Sequence, residues 1–225
     1  MPGMRKFNRF CWLLLPLMTG CINQKYEMPV RTYTPAATTA APGQAIDLGL
    51  SVKWADRNVG AASERDSGGY YAWGVCNEQS TYGWNDYKWC VDGDHTRPVR
   101  YTADAQQLED SDDVARAIWG GVWRMPTSAE IRELLDRCTW TWDESRILPG
   151  WKVKGPSGAS IYLPAAGARG NGSLGTAMAY GYYWSSTATA GQNDSADCIA
   201  FRVGARLDAV WFGRNVGRSV RPVCN

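Results

Sequence analysis

Few residues in this 225-residue chain are able to do acid–base, nucleophilic or metal chemistry. His95 is the only histidine. That excludes a two-histidine metal site and leaves no base obviously placed beside a nucleophile. Of the 22 acidic residues, three groups are weighed as cation ligands: Asp86, Asp92-Gly93-Asp94, and Asp110 with Asp112 and Asp113. The second group reads as a turn. The third reads as the start of a helix, where acids complement the positive end of the dipole. No catalytic residue, metal ligand or cofactor is assigned, and the chain is not expected to be an enzyme.

Cysteine chemistry is the remaining covalent option. Cys11 and Cys21 lie near the N-terminus, and Cys76, Cys90, Cys138, Cys198 and Cys224 follow. Five cannot all pair within one chain, and spacing does not fix connectivity. Outside the cytoplasm disulfides are permitted. An unpaired, exposed Cys198 would be a reactive thiol.

Noncovalent recognition has the clearer signal. From Ile199 to Trp211 every odd position is apolar, which is the period of a strand with one packed face. On this parity Ile199, Phe201, Val203, Ala205, Leu207, Ala209 and Trp211 are core. The even positions Ala200, Arg202, Gly204, Arg206, Asp208 and Val210 form a presented face, with Asp197, Phe212, Arg214 and Val216 near it. That face mixes cation, anion, glycine and aliphatic without internal logic, as an arbitrary binding surface would. Arginine and exposed aromatics are the types that usually carry interface energy. Between Ser195 and Arg218 there is also no Lys, Glu, Gln or Met. Apart from Trp211, the residues present are those reached by randomising the first two bases of an Asn codon.

The elements that must position this face begin after a leader and a tether. Arg5-Lys6-Phe7-Asn8-Arg9 is a basic region, and Phe10–Met18 is an apolar run too short to span a membrane. Met18-Thr19-Gly20-Cys21 resembles a bacterial lipobox, which implies a signal peptide over 1–20 and acylation of Cys21. Several acyl chains, each CH₂ contributing about 0.8 kcal/mol, would anchor the chain stably. Residues 21–44 have no apolar period and carry several breakers, so they read as a flexible tether. Removing Arg5, Lys6 and Arg9 takes the formal charge from +2 to about −1, which gives no reason to expect nucleic acid as a partner.

Residues 45–225 make one domain of ordinary size. Twelve Trp and eleven Tyr against four Phe suit a loop-rich fold, whose aromatic side chains also bond irregular backbone. Two short strands broken at Gly49 are expected over Ala45–Ala55, and an aromatic strand over Gly69–Gly74. Cys76–Asp104 reads as irregular, and Asp110–Ile118 as a short helix. Thr127-Ser128-Ala129-Glu130 is a capping box opening a helix through Cys138, with Ile131, Leu134 and Leu135 facing the core.

Six blocks, in order, carry a family resemblance. They are Asp47–Ala55, Tyr87-Lys88-Trp89-Cys90, Trp119–Thr127, Leu163–Gly167, Gly181-Tyr182-Tyr183-Trp184-Ser185-Ser186 and Ser219-Val220-Arg221-Pro222-Val223. Together they resemble the Fibrobacter succinogenes major paralogous (FISUMP) domain of secreted lipoproteins. The Arg124-Met125-Pro126-Thr127 helix opening and the closing block also resemble the formylglycine-generating branch of C-type-lectin-like folds. The resemblance implies an α+β, C-type-lectin-like domain with two helices, a twisted antiparallel sheet and long loops. Some members of this superfamily are diversified by retroelements that randomise adenines on C-terminal strands, which matches the residue set above. The implied function is a lipid-anchored outer-membrane or cell-surface protein binding a protein or glycan on a cell, phage or host surface. A fixed adhesin or carbohydrate-binding module of the same fold is the alternative. An enzyme of the formylglycine-generating type would use paired C-terminal cysteines, and the motif that accompanies them is absent here. Trp84-Asn85-Asp86 matches a calcium-ligand tripeptide of C-type lectins, but lies in the other half of the domain.

Overall fold

Thr127 opens the longest helix of a computed structural model that describes residues 41–102, 106–144 and 148–225, without the side chains of 208 and 209. The leader, Cys21 and the tether as far as residue 40 lie outside the described residues. In chain order the elements are β1 (Ala45–Ile46), β2 (Lys53–Ala55), β3 (Cys90–Val91), β4 (Asp94–Pro98), α1 (Val114–Trp119) and α2 (Ser128–Arg137). They continue with β5 (Thr139–Asp143), β6 (Gly150–Lys154), β7 (Ser160–Pro164), β8 (Ala168–Gly170) and β9 (Ser173–Gly175). The last four are β10 (Tyr180–Ala188), β11 (Ser195–Arg202), β12 (Ala205–Gly213) and β13 (Val223–Cys224). This is a mixed α+β protein. Among the described residues its strands form five small sheets rather than one, and every strand-to-strand pairing is antiparallel.

Local signals account for the helices. The Thr127 hydroxyl accepts from Glu130 N at 3.2 Å and the Glu130 carboxylate accepts from Thr127 N at 2.8 Å, closing the capping box. Arg124 grips the same carboxylate at 2.6 and 2.8 Å. Ile131, Leu134 and Leu135 are buried, each contributing about 1.5–3 kcal/mol relative to exposure. The helix expected over Asp110–Ile118 is two pieces. A 3-10 turn covers Asp110–Asp112, and Asp113 then caps α1, accepting from Ala115 N, Arg116 N and Met125 N.

Two other expectations change. Gly69–Gly74 is not a strand but carries one isolated bridge, Tyr71 to Arg218. The stretch from Cys76 contains the β3–β4 hairpin, whose Asp92-Gly93 turn has φ of 49° and 73°.

The core lies on both sides of one sheet, ordered β10-β11-β12. One apolar cluster packs Trp73, Ala115, Trp119 and Trp123 against Trp184, Ala196 and Cys198. A second packs Trp54, Ile131, Leu134 and Trp151 against Tyr183, Ile199 and Phe201. Aromatic polar atoms close loops onto this core. Trp73 Nε1 donates to Ser185 O, Trp184 Nε1 to Tyr71 O, and Tyr183 Oη to Pro164 O, at 2.6–2.9 Å.

Two buried arginines, Arg214 and Arg221, extend the same device, and a third, Arg218, packs over the rings of Tyr182, Trp184 and Phe212. None of the three forms a salt bridge with a carboxylate among the described residues. Arg221 donates to Ala55 O, Asp56 O, Tyr162 O and Asn58 Oδ1 at 2.7–3.1 Å. Burial lowers its pKa to about 10. Arg214 donates to Ser195 O and Tyr101 O and lies 4.6 Å from the Trp73 ring centroid.

Candidate functional site

The presented part of the β10-β11-β12 sheet is the hairpin joining β11 to β12. Val203 and Gly204 form its turn between the paired residues Arg202 and Ala205. Gly204 sits at φ 71°, a backbone region that favours glycine. Val203 N donates to Ala179 O at 3.0 Å, holding the tip against the segment before β10. Arg202, Val203, Gly204 and Arg206 are all exposed. Arg206 is nonetheless fixed in place, because its Nη1 donates to Leu135 O at 2.7 Å and its guanidinium lies 5.7 Å from the Trp140 ring centroid.

The alternation read from the sequence does not survive this hairpin. On β11 both parities are buried, since the strand is central and the two clusters cover both its faces. Ala200 is therefore core and leaves the candidate set. On β12 the parity is interrupted: Ile199 faces Ala209, but Phe201 faces Arg206, so β12 carries one extra residue. Trp211, expected in the core, is 55% exposed, and Val203 is 50% exposed. The signal for the shift at Arg206 was Gly204, since a glycine inside an alternating run marks a turn or bulge. Trp211 keeps the face the alternation gave it, opposite Asp197, and is exposed there on the outer strand.

The other candidates divide by burial. Arg214 is 1% exposed and is a structural core residue, which removes it from the candidate set. Val210, Phe212 and Val216 are half-buried. Phe212 meets Tyr182 edge-on at 5.4 Å and lies 4.0 Å from the Arg218 guanidinium. Asp197 is half-buried and accepts from Ser128 Oγ at 2.6 Å and Thr189 Oγ1 at 2.7 Å, tying the start of α2 to the sheet. Asp208 lies in β12, and its side chain is outside the described atoms. Of the candidates, Arg202, Gly204 and Arg206 are exposed, joined by Val203 and Trp211, with the half-buried Asp197, Val210, Phe212 and Val216 beside them. Tyr180 and Tyr182, in the β10 framework, stand beside them as half-buried parallel rings 6.0 Å apart.

The covalent options are placed as well. All five described cysteines are free thiols. Cys198 is fully buried rather than exposed, and burial pushes its pKa up to about 11 against the opposing pull of Arg218. It is not a reactive thiol. The Asp86 carboxylate folds back to accept from Gly83 N at 3.2 Å. Asp112 accepts from Tyr101 Oη at 2.6 Å and Lys88 Nζ at 3.1 Å. His95 Nδ1 lies 3.0 Å from Asp194 Oδ2, and its ring packs on Trp84. Among the described residues no three His, Cys, Asp or Glu side chains are arranged to hold a metal ion. No described helix is long and apolar enough to cross a membrane.

No family model matches the chain, and neither does any curated protein or solved structure.

Proposed function

We propose that the chain is a surface-anchored lipoprotein whose C-type-lectin-like, FISUMP-type domain binds a protein or glycan through the β11–β12 hairpin. Recognition is noncovalent and needs no cofactor, and Cys21 carries the lipid that holds the protein at the outer membrane. The observation that carries this reading is the contrast within one sheet. Arg202, Val203, Gly204, Arg206 and Trp211 are exposed, while Trp184, Ile199 and Phe201 in the same sheet are buried. Exposed residues can change while the framework holds them in place.

The restricted residue set between Ser195 and Arg218 supports diversification by a retroelement at the exposed Arg202, Val203, Gly204 and Arg206, while Trp211 falls outside that set. The buried members of the segment, Ala196, Cys198, Ala200, Phe201 and Arg214, are explained by packing alone and are expected to stay constant. Sequencing the 3′ end of the gene through a growing population tests this. Variation confined to codons of exposed hairpin residues, beside a downstream near-copy differing at adenines, supports the diversified receptor. An invariant segment with no such copy leaves a fixed adhesin of the same fold.

A further inference from the structure

Strand β12 is the outer strand of its sheet, and its two halves are built differently. Toward the hairpin tip it carries the extra residue opposite Ile199–Phe201, together with the charged Arg206 and Asp208. Bulges and charges are the usual means of stopping an edge strand from pairing with another chain. The other half, Ala209-Val210-Trp211-Phe212-Gly213, pairs with β11 without a slip and contains no charge and no proline. Half of its main-chain donors and acceptors must point away from β11, as in any edge strand. Among the described residues, Val210, Trp211 and Phe212 make no main-chain hydrogen bond outside the β11 ladder. Trp211 is also the one exposed Trp, Tyr or Phe among the described residues.

We infer that this half-strand pairs with the same half-strand of a second copy, antiparallel about a twofold axis at Trp211. The two three-stranded sheets then become one of six strands. The segment is self-complementary in that register. Trp211 faces Trp211, Val210 faces Phe212 and its symmetry mate repeats the pair, and no charge lies in the paired stretch. A twofold contact requires such self-complementarity. Aromatic–aromatic and aromatic–β-branched cross-strand pairs each contribute roughly 0.2–1 kcal/mol. A five-residue ladder is a small interface, so association in the micromolar range is expected. The pairing would set two hairpin tips on one continuous sheet, giving bivalent engagement of a repetitive ligand. The pairing itself does not rest on the ligand reading.

The experiment uses the full chain, with detergent micelles in large excess over protein so that a shared micelle does not mimic a dimer. Sedimentation velocity across a concentration series should show a dimer growing at the expense of monomer. Trp211→Lys should move the midpoint at least about tenfold higher, because a lysine on the edge is a pairing guard. An unchanged melting temperature for that variant would exclude unfolding as the cause. Trp211→Cys gives an independent arm. Directly opposed Cβ atoms on paired strands lie about 4.5–5.5 Å apart, close enough for a disulfide to form with a small adjustment. Mild oxidation should therefore yield a reducible dimer from Trp211→Cys, well above the yield from Val203→Cys at the exposed tip. A wild-type chain monomeric at every concentration, or equal crosslinking of the two cysteine variants, overturns the inference. Neither result bears on whether the hairpin sequence is diversified.

Discussion

The ring of Phe201 occupies the space that a side chain on Gly181 would need, the two residues facing each other across the β10–β11 ladder. A methyl group there would fall inside the ring, which is also packed between Tyr183 and Trp140. Gly181→Ala is expected to cost about 1–3 kcal/mol through overpacking, read as a lower urea midpoint. Alanine at the open, exposed Gly191 has no neighbour to displace, but its φ of 72° makes the cost one of backbone strain alone.

Two arginines twelve residues apart should behave oppositely. Arg214→Ala removes the donors to Ser195 O and Tyr101 O in a buried site and should destabilise by about 3 kcal/mol or more. Arg202→Ala lies on the exposed tip and should stay within about 0.5 kcal/mol of wild type. Urea denaturation of both variants makes the comparison. Equal destabilisation would mean that the tip belongs to the core.

Alkaline pH should unfold the domain. Burial pushes the phenols of Tyr70 and Tyr162 up to about 12, as it does that of Tyr101, where the bond to Asp112 adds to the effect. An unfolded tyrosine titrates near about 10. Below that value these groups bind the same protons folded and unfolded. Above it the unfolded chain loses protons first, so stability falls from about pH 10 toward 12. Phenolate absorbance should lag behind that of free tyrosine and then rise together with the loss of near-ultraviolet circular dichroism. A non-cooperative rise at pH 10 would contradict the burial of these rings.

Thiol labelling should divide the cysteines by depth. Cys198 and Cys224 are buried, whereas Cys76, Cys90 and Cys138 are half-buried. Mass spectrometry after brief alkylation of the native protein should find Cys198 and Cys224 unmodified, and all five labelled in urea. Fast native labelling of Cys198 would restore a reactive-thiol role.

What was legible in the sequence was local. The capping box at Thr127 and Glu130, the buried Ile131, Leu134 and Leu135, and the turn at Asp92-Gly93-Asp94 all depend on residues within a few positions of each other. The hairpin face was only half legible. A period of two identifies a strand but not how many of its faces are covered, and β11 has both covered. The turn at Gly204 shifts the pairing and the extra residue shifts it back, which puts Arg206 opposite Phe201 but leaves Trp211 on the face of Ile199, where it is exposed on the outer strand. Burial of the arginines was not legible either. Arginine is mostly a surface residue, and only the folded chain shows loop carbonyls from Ala55, Asp56 and Tyr162 converging on Arg221.

That convergence fixes when the domain can form. Arg221 bonds to Ala55 O across 166 positions, and Val223 pairs with Trp54 in the β2–β13 ladder. Contacts of such separation come late, because the loop they close must be ordered before they compensate for it. β1 and β2 pair with each other, but a ribosome must deliver Arg221 and Val223 before the β1-β2-β13 sheet is complete. Until then the N-terminal sheet lacks its third strand, and the carbonyls of Ala55, Asp56 and Tyr162 lack the Arg221 donor.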